Sequence, residues 1–162
     1  MGEIILTDFF STKTQANDFS ARISNVEANV YEVNFNLEKE LEEQLGVQGK
    51  DKFMSLLRDN NISLESNKQI GKFFEEIQKT ISSLPTVDLT IAIEPSEKFL
   101  REISDWFVLN IKKQVILEIE INPDVIAGAI VGYEGERLNS SIKEEFDKVC
   151  ANVLTNNQGQ QS

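Results

Sequence analysis

Histidine does not occur in the 162 residues, and with it go the commonest general base and the commonest metal ligand. Cys150 is the only cysteine, which excludes a disulfide within the chain and any multi-cysteine zinc or iron–sulfur site. Nowhere do roughly 18 apolar residues run together, the length a helix needs to span a bilayer. Basic residues are scarce: 16 Lys and Arg face 27 Asp and Glu, for a formal charge of -11. Such a surface repels nucleic-acid phosphates and anionic headgroups unless a local basic patch intervenes. The densest basic stretch, Lys112 and Lys113 with Arg101 before it, is too sparse to track a phosphate backbone. Gly128, Gly132 and Gly135 are too widely spaced for a dinucleotide fingerprint, and no Gly-x-x-x-x-Gly-Lys phosphate loop occurs. The opening Met1–Asp8 carries acidic residues where a secretory signal needs a basic region, and Leu6 stands where myristoylation needs Ser or Thr. A cytosolic chain without direct membrane insertion is expected.

What remains is ordinary globular material, 40% hydrophobic and 27% charged, enough for one or two small domains with modest cores. From Thr12 to Leu45 there is no Pro or Gly. Apolar residues recur at Phe19, Ile23, Val26, Val30, Val33, Leu37, Leu41 and Leu45, the stripe of one long amphipathic helix over 12–45 with near-heptad rhythm. Such a helix would reach roughly 50 Å. The acidic run Glu38–Glu43 would then lie toward its C-terminus, where the macrodipole disfavours negative charge, and Gly46 would cap it. A short helix over 50–59 carries Phe53, Leu56 and Leu57 and closes on Asp59-Asn60-Asn61. A third, over 66–84, starts at a capping Ser66, shows Ile70, Phe73, Phe74, Ile77, Ile81 and Leu84 on one stripe, and stops at Pro85.

After Pro85 the period changes from 3.6 to 2. Val87, Leu89, Ile91 and Ile93 alternate with polar or small residues as a strand, and Glu94-Pro95-Ser96 ends it. Ser96 caps a helix bearing Phe99, Leu100, Ile103, Trp106, Phe107 and Ile111. Val115, Leu117, Ile119 and Ile121 form a second strand with one buried and one partly wet face. Asn122-Pro123-Asp124 turns the chain into a hairpin, Ala129–Tyr133 and Arg137-Leu138 around Glu134-Gly135-Glu136. Ser141 and Glu144 make a capping box for a last helix with Ile142, Phe146, Val149 and Val153, and the Asn-, Gln- and Gly-rich tail 155–162 is expected to be disordered. The fold class is α+β: a helical region over 1–85, then a small β-α-β-β-α domain over 86–154. The third helix either stays with the helical region or packs on the sheet.

Candidate chemistry is thin. Cys150 lies beside the Phe146 and Val149 face with no histidine to deprotonate it, and reads as a small core residue. Glu118 and Glu120 share a strand face and read as a solvated edge rather than a cation site. The segment Asn122-Pro123-Asp124-Val125-Ile126-Ala127-Gly128 joins a turn to an apolar strand through a small Ala-Gly pair. Small residues there allow either a tight internal corner or the close approach of another backbone.

The order of pieces from Val87 to Leu154 resembles the C-terminal domain of the delta subunit of F-type ATP synthases, called the oligomycin-sensitivity-conferring protein in mitochondria. That family shows a strand, a helix, a second strand, an Asp-Pro turn, an Ile-Gly-Gly segment, a glycine-containing hairpin and an Asp-x-Ser start to its closing helix. Here Asn122-Pro123 takes the Asp-Pro place, Ile126-Ala127-Gly128 the Ile-Gly-Gly place, Gly135 the hairpin, and Asn139-Ser140-Ser141 the Asp-x-Ser place. Asn122, Ala127 and Asn139 each depart by one conservative step. The N-terminal half departs further, with three helices in place of the family's compact six-helix domain. The resemblance implies a non-catalytic subunit of the peripheral stalk on the cytoplasmic side of the cell membrane, without cofactor, metal or small-molecule substrate. It would join the alpha subunits of the catalytic head to the membrane-anchored b subunits during proton-driven ATP synthesis. Asn122, Pro123, Ile126, Ala127, Gly128 and Ser141 are then the candidate interface residues. Three other readings compete: within stalk proteins the E subunit of vacuolar or archaeal-type ATPases, whose long helix runs on without the interruptions at Gly46, Asp59–Asn61 and Pro85; a free-standing coiled-coil adaptor; and, last, an enzyme, which a nucleotide or metal bound at stoichiometric level would support.

Overall fold

The computed structural model describes residues 4–123, 129–133 and 136–137. The chain divides into two compact units. One holds the residues up to Phe10 together with Thr14–Leu84, and the other holds Ser11–Lys13 together with the chain from Pro85 onward.

The first unit is helical. Helix α1, Lys13–Asn29, buries Ala16, Phe19, Ile23 and Val26. Helix α2, Leu37–Asp59, buries Leu37, Leu41, Phe53 and Leu57, and α3, Asn67–Ser83, buries Ile70, Phe73, Phe74, Ile77 and Ile81. The single helix expected over 12–45 is therefore two helices, broken between Asn29 and Leu37. The cause is local. Apart from Glu32, Tyr31 to Asn36 consists of aromatic, β-branched and Asn residues, poor helix formers of which Asn competes for backbone hydrogen bonds. Turn hydrogen bonds run from Glu32 N–H to the Asn29 carbonyl at 3.0 Å and from Phe35 N–H to the Glu32 carbonyl at 3.2 Å. Asn36 then caps α2, its Oδ1 accepting the Lys39 N–H at 3.0 Å. Val33, the stripe member inside the break, is fully exposed at 100%.

The break also reverses the electrostatic reading of the acidic run. Glu38 and Glu40 occupy the first turn of α2, the end where the macrodipole favours negative charge. Gly46, with φ of 72° and ψ of 174°, leaves the helical conformation and divides α2 at a kink into two helical segments. The stop expected at Gly46 is therefore there, with a backbone extended in ψ rather than left-handed helical, and the helix expected over 50–59 is the second segment, which begins directly after Gly46. Across the kink, Lys50 Nζ reaches Glu42 Oε2 at 2.7 Å. Eight residues would separate these groups by two turns on a straight helix.

Ser66 caps α3 as expected, accepting the Gln69 N–H at 3.3 Å. Asn61, with φ 56°, turns the chain after α2. The three helices and the N-terminal segment close around phenylalanines. Phe53 stands 5.5 Å from Phe74, 6.4 Å from Phe73 and 6.1 Å from Phe9, and Phe19 stands 4.8 Å from Phe9 and 5.7 Å from Phe10. Offset and edge-on ring pairs at such spacings add to the burial of each ring. Ile4, Leu6 and Phe10 are buried here too, so the N-terminal segment supplies core side chains that no periodicity had marked.

The second unit carries the sheet. Strand β1, Thr86–Ile91, is followed by α4, Glu97–Ile111, and by β2, Ile116–Ile121. β1 and β2 pair in parallel with Leu89 opposite Ile119 and Ile91 opposite Ile121, the crossover geometry that a βαβ unit imposes. β3, Ala129–Tyr133, runs antiparallel to β1, and the two-residue β4, Glu136–Arg137, pairs with β3, giving the order β2-β1-β3-β4. Val87, Leu89, Ile91 and Leu117 pack against Leu100, Ile103 and Phe107 of α4. Ser96 caps α4 through the Phe99 N–H. β1 ends earlier than the alternation suggested: Ile93 lies beyond it and is exposed, because the chain must already turn toward Pro95.

The architecture is α+β, helices first and then the mixed sheet. The closing helix expected from Ser141, Cys150 on it, the hairpin tip Glu134-Gly135 and the tail 155–162 lie outside the described residues.

Candidate interaction site

Of the residues singled out in the sequence, Asn122 and Pro123 are described, while Ile126, Ala127, Gly128 and Ser141 lie outside the described residues. Asn122 follows β2 directly, and its N–H donates to the Ile91 carbonyl at 2.8 Å, the last rung of the parallel pair. Pro123 is exposed in the turn that follows. Proline suits this place because no further N–H is needed once the ladder ends.

The structure brings two exposed isoleucines to the same end of the β1–β2 pair. Ile121 is the final residue of β2 and Ile93 comes two residues after β1, and they are 51% and 70% exposed. Together with Pro123 they make an apolar corner at the C-terminal ends of the parallel strands. The alternation places Ile93 within the first strand and Ile121 on the buried face of the second; the hint against both is that Pro95 and Pro123 each stop a strand within two residues.

The helical unit has its own exposed apolar point. Tyr31 is 70% exposed and its hydroxyl lies over Gly71 of α3, where a Cβ would come within 2.6 Å of it. Between α3 and α1, Gln78 Nε2 donates to the Ser20 carbonyl and to Ser24 Oγ, each at 3.0 Å. Between these points burial, and behind it the nearby Glu75 carboxylate, holds the Glu27 carboxyl above the usual carboxylate range. α1 and α2 are tied by Arg22 Nη1 to the Gln44 carbonyl at 2.7 Å and by Asn29 Nδ2 to Glu40 Oε2 at 3.1 Å. The hydrogen bond to Glu42 raises the Lys50 ammonium pKa.

Among the described residues no group of three acidic or cysteine side chains gathers as a metal site would. No described helix is long and apolar enough to cross a membrane.

Comparison with known proteins gives these surfaces a context. Residues 5–152 match the family described as ATP synthase delta (OSCP) subunit. The ATP synthase subunit delta, sodium ion specific, of Ilyobacter tartaricus is 33% identical over 75 residues, 46% of this chain and 43% of that protein. The ATP synthase subunit delta of Thermosipho africanus is 26% identical over 101 residues, 58% of this chain and 54% of its own length. That of Thermosipho melanesiensis is 23% identical over 107 residues, 66% of this chain and 59% of its own. The chain thus spans about half the length of the curated relatives it matches. Because the family match runs through both the helical unit and the mixed sheet, the chain belongs to the ATP synthase delta (OSCP) subunit family.

Proposed function

We propose that this chain is a non-catalytic structural subunit of the ATP synthase peripheral stalk, linking the catalytic head to membrane-anchored b subunits during proton-driven ATP synthesis. The observation that carries the reading is the family match over residues 5–152. The apolar corner of Ile93, Ile121 and Pro123 supports it, since a linker resisting torque needs interfaces and no reacting groups. In this reading the helical unit contacts the head through the N-terminal segments of alpha subunits, and the β-α-β-β-α part engages b-type helices. The protein would work as a peripheral component on the cytoplasmic side of the membrane.

The competing readings lose their main support. An E-type stalk subunit or a free-standing coiled-coil adaptor rested on one long continuous helix, and the chain breaks that helix between Asn29 and Leu37. The test is capture by the full chain of two peptides, the alpha N-terminal segment and the b C-terminal segment of the cognate enzyme. Saturable binding of both is expected; binding of neither defeats the stalk reading. Gly128→Leu should weaken assembly with b if that segment is an intersubunit contact, and unchanged assembly would make it a local corner.

A further inference from the structure

Among the described residues, the outer edge of β2 is half occupied. β2 is the first strand in the order β2-β1-β3-β4, so one side of its backbone has no strand of the sheet beside it. The chain's own segment Ser11–Lys13 covers the start of that side: Thr12 bridges Leu117 in parallel, and Leu117 N–H donates to the Ser11 carbonyl at 2.8 Å. The direction of the remaining groups follows from the ladder. Ile116 N–H donates to Pro85 and Asn122 N–H to Ile91 on the inner side. Even-numbered residues of β2 therefore bond β1, and the N–H and C=O of Leu117, Ile119 and Ile121 point outward. Ser11 takes the first of these. Beyond it, Ile119 and Ile121 present donors and acceptors to no strand among the described residues, and the side chain of Ile121 is exposed.

The side chains beside this open half say what would pair with it. Glu118 and Glu120 stand on the polar face, next to Asp88 and Thr90 of β1. Where the edge is already covered, the covering segment answers the charge, with Lys13 Nζ 2.9 Å from Glu118 Oε2. Glu120 is exposed and accepts a hydrogen bond from the hydroxyl of Thr90 at 3.4 Å. A second copy of β2 laid on this edge would set carboxylates against carboxylates, which destabilises cross-strand pairs. The chain's own tail, Thr155 to Ser162, contains no basic residue.

We infer that the open half of the β2 edge, at Ile119 and Ile121, takes an added strand from another protein. That strand would be an extended basic segment that continues the ladder begun by Ser11–Lys13 and sets a Lys or Arg against Glu120. Main-chain hydrogen bonds hold such a strand, and alternate side chains select it. One face of the incoming strand meets Glu120, and the other covers the apolar side chains of Ile119 and Ile121.

The test uses the full chain and an acetylated peptide of alternating lysine and valine, with the glutamate–valine peptide as control. Saturable binding of the basic peptide alone is expected, with amide exchange at Ile119 and Ile121 slowed at least tenfold and other exposed amides unchanged. Glu120→Lys, at an exposed position, should weaken binding at least tenfold while leaving the circular dichroism spectrum and the denaturation midpoint in place. Ile119→Pro removes the outward N–H while keeping every carboxylate, and should abolish the exchange protection. The inference is overturned if the peptide fails to bind, if Glu120→Lys binds as the parent does, or if protection spreads over the whole acidic surface. Should Ile119→Pro fail to fold, the Glu120→Lys titration and the residue-resolved exchange of the parent decide the matter.

Discussion

Gly46 shows how one residue can set the course of an element. With φ 72° and ψ 174° it occupies backbone space that side chains with a Cβ rarely enter, yet nothing lies within 4 Å of where a Cβ would sit. The cost of Gly46→Ala is then purely conformational, and urea denaturation should show a loss of about 1–3 kcal/mol. A loss of a few tenths would mean that the kink relaxes. Glu27 is a different kind of residue problem. Burial and the Glu75 carboxylate raise its folded pKa above the ordinary value of 4.5, so the folded chain holds that proton more tightly than the unfolded one. Its favourable contribution is present below that ordinary value and is lost as pH rises through the raised one. At neutral pH the charged carboxylate is a burden, and Glu27→Gln should stabilise by less than about 1 kcal/mol, given how exposed the pair is. Denaturation midpoints at pH 7 and pH 3.5 check this: the advantage of Gln must shrink at the lower pH.

The break between α1 and α2 makes a prediction at the scale of elements. Val33 is the second residue of the turn closed by the Phe35 N–H to Glu32 carbonyl bond, the position where proline is favoured. Val33→Pro should change stability by less than about 1 kcal/mol, whereas in the middle of a continuous helix it would cost about 3 kcal/mol or more. Denaturant titration separates the two. The same break explains what could be read in the sequence. Phe19, Ile23, Val26, Val30, Leu37 and Leu41 were legible as a stripe and are all buried, because spacing reports which residues seek a core. Spacing does not report continuity: the step from Val30 to Leu37 keeps the seven-residue rhythm whether the backbone is helical or looped. The signal that decides it, Asn36 ahead of Glu38 and Glu40, is a helix start set inside the apparent helix. Strands β1 and β2 and the caps Ser66 and Ser96 were legible because each rests on neighbouring residues. The docking of Ser11–Lys13 on Leu117 was not, since a pairing across more than a hundred residues leaves no local mark. At the candidate site, Asn122-Pro123 was legible as a turn, while the exposure of Ile93 was hidden by an alternation that continues past the end of the strand.

For the whole molecule, charge and apolar exposure divide the work of recognition. A net charge of -11 speeds encounter with basic partners and weakens with salt, whereas an apolar corner contributes through burial, which added salt does not screen. Ile93 is 70% exposed and outside any strand, so its side chain does little for the fold. Burying an isoleucine side chain at an interface is worth about 1.5–3 kcal/mol, which is about one to two powers of ten in affinity. Ile93→Asp should therefore weaken capture of the b C-terminal segment at least about tenfold at both low and high salt, with the denaturation midpoint unchanged. A loss confined to low salt would mean that the added carboxylate merely repels an acidic partner. Unchanged capture at both would remove the corner from the interface and shift attention to the surface around Tyr31 and Glu27.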